Sequence, residues 1–218
     1  MPLHDSEAIV LRTYPLGDAD RLVSLLTRDH GRLRGVAQGA RRPKSRFGAA
    51  LEPYTYLRVW FYERETRDLV RIGQCEILES FLDLQQDYRS GLALAVAAEI
   101  TEAVLPEREP QDAAFRLLLH VLRGLRHSRR PELALGYFLV WTLRLAGWLP
   151  DFDHPGMRSL SRDSVAAARR ILAAPLSDLA ADANSPRISP EFEAYFLDMI
   201  EHHIERRLVS RPLYEETR

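Results

Sequence analysis

Cysteine is nearly missing from these 218 residues: Cys75 stands alone, which excludes an internal disulfide and any cysteine-rich zinc site. Lysine is as scarce, since of 30 basic residues only Lys44 is lysine. Such a bias suits bidentate guanidinium contacts with phosphate, although a genome's base composition produces it as readily. Long apolar runs are lacking too. The longest uncharged one, Leu133 to Leu143, has 11 residues, well short of the roughly 20 that span a bilayer. The amino terminus, MPLHDSEAIV, has neither a positive leader nor a long apolar core, so a cytoplasmic address is expected. No P-loop, GxSxG elbow, HExxH or Rossmann glycine fingerprint occurs, and nothing in the chain argues for an enzyme. Asp151, Asp153 and His154 crowd one loop, and Asp198, Glu201, His202 and Glu205 share one helical face. Without a second cluster to complete a ligand set, these read as a polar turn and a solvated face, and neither a metal nor another cofactor is expected.

What the chain does have is one concentrated patch of positive charge. From Arg28 to Arg46 stand seven cationic side chains and one acid, a local charge of +6 in a chain whose total is −1. The rest carries 23 basic and 30 acidic groups. Clustered guanidinium groups suit a polyanion, because each neutralised phosphate releases condensed counterions. The order of the residues sharpens this. Gly31 to Gly39 reads as a short strand with Leu33, Gly35 and Ala37 opposite Arg32 and Arg34, and the run from Arg41 to Arg46 then leaves it as a loop stiffened by Pro43.

Strand signals fill Ser6 to about Leu82. Alternation over Ala8 to Tyr14 is followed by the turn Leu16 to Asp20, a second strand Leu22 to Thr27, and the third ending at Gly39. Tyr54 to Tyr62 separates Leu57, Val59 and Phe61 from a stripe of Tyr54, Tyr56, Arg58, Trp60 and Tyr62. Tyr54, Tyr56 and Trp60 are candidates for stacking bases, each such contact being worth about 1 to 3 kcal/mol. Packing of the stripe within the protein is the alternative. A turn over Glu63 to Asp68 leads to a fifth strand, Leu69 to about Ile77. Five short strands and a basic loop fit a closed barrel of the oligonucleotide-binding (OB) type.

After Phe81 the period becomes helical. Asp87 is a cap for a helix apolar on nearly every side from Leu92 to Leu105; further helices are expected over Ala113 to Arg126, Glu132 to Ala146 and Ser161 to Ala173, with a single turn at Leu176 to Ala181. Ser189-Pro190-Glu191 opens a last amphipathic helix whose apolar face runs to Leu208. The fold class is therefore α+β in two domains: an OB-fold barrel over residues 1–82 and an all-α domain over 83–218.

Several stretches together resemble the RecO family of bacterial recombination mediators. They are Glu7-Ala8-Ile9-Val10-Leu11, the turn Gly17 to Leu22, and Leu26-Thr27 before Gly31, then Gly39-Ala40-Arg41-Arg42-Pro43-Lys44-Ser45-Arg46 and Leu51-Glu52-Pro53. Gly136-Tyr137-Phe138, Gly147-Trp148-Leu149-Pro150 and Arg207 to Arg211 add to them. The resemblance implies a non-enzymatic protein at the nucleoid that binds single- and double-stranded DNA and anneals complementary strands. It also implies binding of the acidic tail of single-stranded-DNA-binding protein, and action with RecR, and in many cases RecF, to load RecA. The family's basic barrel loop corresponds to Arg41, Arg42, Lys44 and Arg46; Arg32 and Arg34 extend it by the strand reading. Arg123, Arg126, Arg129 and Arg130 are the candidates for tail binding in the helical domain. Many members hold zinc on two cysteine pairs after the segment that ends here at Pro150, where this chain has only DFDHPGMRSL. An RNA-binding barrel protein and a protein-only adaptor are the rival readings of the same residues.

Overall fold

The computed structural model describes residues 2–63 and 68–217, apart from the Arg158 side chain. The chain divides into two compact units, Met1–Asp83 with Leu105–Phe115, and Leu84–Val104 with Arg116–Arg218. The segment 105–115, expected among the helices, thus packs in the first unit.

That unit is a closed barrel of β1 (Leu3–Leu16), β2 (Asp20–Thr27), β3 (Gly31–Ala37), β4 (Tyr56–Tyr62) and β5 (Val70–Glu79), in the order β1-β2-β3-β5-β4. It is the OB topology. β1 is long enough to serve two neighbours: Leu3 to Ile9 pair with β4 and Ala8 to Leu16 pair with β2, with a register shift between Val10 and Arg12. Alternation then sends Ala8, Val10, Val23, Leu25, Leu33, Leu57, Val59, Phe61 and Ile72 into one core. The turn expected over Glu63 to Asp68 falls largely on 64–67, outside the described residues.

Closure between β3 and β5 is parallel and brief, among the described residues Gly35 to Val70 and Val36 to Arg71. The open edge of β3 below it is met by 105–115: Arg108 N–H donates to the Arg32 carbonyl at 3.0 Å, and Arg32 bridges Glu107 in parallel. Such an approach needs glycine at Gly31, where φ is +66° and a Cβ would stand 2.0 Å from the Glu109 carbonyl oxygen.

The second unit is helical, built on α2 (Tyr88–Val104) and α4 (Pro131–Leu145). α4 is buried from Leu133 through Val140 and packs against α2, α5 (Arg162–Ala173), α6 (Leu176–Ala181) and α7 (Pro190–His203). α1 (Leu82–Gln85) and α3 (Asp112–Ser128) cross the division between the units. The expected cap forms at Asp87, which accepts the Ser90 amide at 2.9 Å, and Ser189, expected to open the last helix, accepts that of Phe192; Ser161, expected inside α5, is its cap and accepts the Ser164 amide. The expected loop after Pro150 contains a short 3-10 helix, Pro155–Ser159, capped by His154.

The last helix stops at His203 rather than at Leu208, and a separate α8 (Arg211–Glu215) follows. The cause is Glu201, a buried carboxylate that accepts the Leu208 amide at 2.8 Å and ion-pairs with Arg207 and Arg211, each at 2.7 Å. Satisfying it requires the chain to turn back, which Glu205 does at φ +54°.

Candidate nucleic-acid interface

The basic loop is an anchored structure, because apolar residues alternate in blocks with its cations. Phe47, Ala50 and Leu51 are buried in the barrel core, whereas Arg41, Arg42, Lys44 and Arg46 are exposed. Between them the backbone makes successive three-residue turns, with Arg42 N–H to Gly39, Ser45 to Arg42, Gly48 to Ser45 and Ala50 to Phe47 at 2.9 to 3.3 Å. Its root is tied to the β1–β2 turn. Gly39 N–H donates to Asp20 at 2.8 Å, and the Arg41 backbone and guanidinium donate to the Ala19 and Gly17 carbonyls, each at 2.9 Å. Lys44, after Pro43, takes φ +65°, and the Arg46 guanidinium lies 4.8 Å from the centre of the Phe47 ring. Four cations on a pinned backbone have already given up part of the loop entropy that binding would otherwise cost.

Arg32 and Arg34 stand apart from this loop. Glu107 accepts both, Arg32 at 3.1 Å and Arg34 at 3.0 Å, and Arg32 also donates to the Leu105 carbonyl at 3.2 Å. With 16% of its side chain exposed, Arg32 is a clip between β3 and segment 105–115. Arg28 is engaged likewise with Asp112 and Glu7, which raise its pKa, Asp112 most.

The aromatic stripe divides. Tyr54 precedes β4 and turns inward: it is 7% exposed, at φ +66°, with its amide on the Val10 carbonyl at 2.7 Å. Tyr56 is half-buried and meets Phe115 edge-on at 6.1 Å. Trp60 and Tyr62 line an open groove with Leu3, Arg46, Arg71 and Gln74. Arg71 and Gln74 escaped the sequence reading, because only the register of β5 against β4 brings them beside the stripe. Cys75 is half-buried against the barrel core, and burial pushes its thiol up to about 12 against a smaller opposing effect of Arg46. Such a thiol is inert at neutral pH.

In the helical unit Arg123 and Arg129 are exposed, and Arg126 and Arg130 half-buried, around the end of α3. Arg130 donates to the Ser185 hydroxyl at 2.6 Å. Cations there also complement the negative end of the helix dipole. Of the acidic clusters, Asp153 pairs with Arg169 at 3.2 Å, the His154 ring caps Gly156 at 3.1 Å, and Asp198 pairs with Arg211 at 2.6 Å. Among the described residues no group of three or more His, Cys, Asp and Glu is placed to hold a metal, and no helix is long and apolar enough to cross a membrane.

Residues 1–81 match the model of the recombination protein O N-terminal domain, and residues 85–156 that of its C-terminal domain. The chain belongs to the RecO family. It is 37% identical to a DNA repair protein RecO of Koribacter versatilis over 236 aligned positions, covering 95% of this chain and 96% of that protein. Similar proteins of the same name occur in Bifidobacterium animalis, 45% identical over 70% of this chain and 64% of that one, and in Cutibacterium acnes, 39% over 69% and 63%. The chain thus spans less than two thirds of these last two relatives. As a RecO protein it is a member of a DNA repair family, and its barrel is that family's OB domain.

Proposed function

We propose that this RecO chain is a non-enzymatic mediator of recombinational repair that binds single- and double-stranded DNA through Arg41, Arg42, Lys44 and Arg46 and anneals complementary strands. With RecR, and with RecF where it is needed, it helps load RecA onto strands coated with single-stranded-DNA-binding protein. The observation that carries this reading is the loop itself, four exposed cations mounted on three buried apolar residues. Annealing requires two strands to approach against their repulsion, and a fixed basic surface lowers that barrier by replacing small counterions. Arg32 and Arg34, held by Glu107, are left out of the phosphate-binding set. Arg123, Arg126, Arg129 and Arg130 are proposed to receive the acidic tail of the coating protein, since a cluster of guanidinium groups pairs well with carboxylates.

The test is annealing of complementary oligonucleotides coated with that protein, with and without its acidic tail, followed by fluorescence. Tail-dependent acceleration is expected. Acceleration on bare strands alone would remove the partner reading and leave a generic annealer. Failure on both, with tight binding of matched RNA, would transfer the loop to an RNA ligand, because phosphate contacts do not identify the sugar.

A further inference from the structure

A groove of about 260 Å³ opens on the β1–β4–β5 side of the barrel, lined by Leu3, Arg46, Trp60, Tyr62, Arg71 and Gln74. It is smaller than a drug-sized pocket. Its position is unusual for this fold, whose oligonucleotide sites lie mainly on the strand 2–3 face and the adjoining loops. The groove runs past a place where β5 carries one extra residue: Trp60 pairs with Gln74 and Phe61 with Ile72, leaving Gly73, which also lines the groove, between them as a bulge. The Tyr62 ring lies across that glycine, where a Cβ would stand 3.0 Å from its Cε2. Trp60 and Tyr62 therefore face the same side of β4, about 7 Å apart along the strand. Opposite them stand Gln74 and Arg71 on β5, and Arg46 enters from the basic loop.

The charges favour an anion at the edge and a neutral ring within. Arg46 and Arg71 are both exposed, and among the described lining residues there is no carboxylate. The nearest acid on β1, Asp5, pairs with Arg58 at 3.2 Å. Gln74 adds an amide that donates and accepts, so it can meet the edge of any base.

We propose that this groove seats one unpaired nucleobase of a DNA strand, stacked on Trp60, with its flanking phosphates on Arg46 and Arg71 and its edge on Gln74. This rests on the DNA-binding reading of the basic loop and divides the labour within it. The loop holds any phosphate backbone, whereas the groove admits only a base free of its partner, so the groove is the part of the surface that tells single strands from duplex.

The experiment uses the full chain and compares wild type with Trp60→Phe, so that the emission of Trp60 is their difference. On titration with a thymidine oligonucleotide, that difference is expected to be quenched in step with binding followed by anisotropy. Trp60→Ala should weaken single-strand binding about 5- to 150-fold, the equivalent of the usual stacking contribution, and Arg71→Gln should weaken it in the same direction. Duplex affinity should change less than twofold in both. Unquenched Trp60 at saturating oligonucleotide, or equal weakening on single strand and duplex, would overturn the proposal. Two results separate it from the loop reading. If Arg41→Ala/Arg42→Ala abolishes binding while Trp60 is silent, the groove fails and the loop stands; if neither DNA form binds, both fail. Quenching by a uridine oligonucleotide but not by thymidine would overturn it in favour of RNA.

Discussion

Single residues carry the distinction between cations that hold the barrel together and cations left for a ligand. Arg32 sits within the charged window that points to DNA, yet its guanidinium ties β3 to segment 105–115 through Glu107 and the Leu105 carbonyl. Arg32→Ala is expected to lower stability by about 1 kcal/mol, since it takes the guanidinium donor from the Leu105 carbonyl while Arg34 keeps Glu107 paired. Urea denaturation measures the change, and DNA affinity at fixed salt should stay the same. Cys75 illustrates burial acting on titration. Its folded pKa, pushed up to about 12 by burial, exceeds the value of about 8.5 for an unfolded thiol. The unfolded state then binds fewer protons between these values, so stability should be full below about pH 8.5 and fall as pH rises toward 12. Cys75→Ser should flatten that alkaline slope in denaturation curves taken across this window, and at pH 8 the native thiol should resist a disulfide reagent until the barrel unfolds.

At the level of elements, two irregular segments are fixed by buried groups that regular patterns do not announce. The loop 38–55 keeps its cations outward because Phe47, Ala50 and Leu51 occupy the barrel core. The chain after α7 is held by three buried carboxylates. Glu99 accepts the Val209 and Ser210 amides at 2.9 Å and the Ser210 hydroxyl at 2.6 Å, Glu193 accepts the Tyr214 hydroxyl at 2.8 Å, and Glu201 accepts the Leu208 amide. Glu99→Ala removes the acceptor of three donors at once and should cost about 2 to 3 kcal/mol. Hydrogen exchange should show it as faster exchange at Val209 and Ser210 with the barrel amides unmoved. A uniform acceleration across both units would mean that Glu99 supports global stability rather than this segment.

Over the whole molecule the charge is segregated, with a strongly cationic window in an otherwise anionic chain. On the proposed function, the acidic remainder would limit indiscriminate coating of DNA and the window would set the salt dependence. Replacing Arg41, Arg42, Lys44 and Arg46 together by alanine should weaken single-strand binding and flatten the log affinity against log salt by roughly 0.7 for each phosphate that is no longer neutralised. An unchanged slope would remove the loop from the interface. Sequence by itself determined the barrel strands, the basic loop, most helices and their caps, because these depend on alternation, helical period and capping chemistry carried by neighbouring residues. Leu57, Val59 and Phe61 announce an inward face wherever their strand is placed, and Arg41 to Arg46 announce a cationic surface. Only the tertiary structure decided what depends on residues far apart in the chain. Glu107, some 70 positions from β3, pairs with Arg32 and Arg34. Backbone pairing with Val10 turned Tyr54 inward, and the register of β5, with its bulge at Gly73, set Gln74 and Arg71 beside the half-buried Trp60 and Tyr62. Glu201 ended the last long helix early by drawing Leu208 and Arg211 back to it. In each case the local pattern allowed more than one arrangement, and the cost of leaving a buried charge or backbone group without a partner selected one.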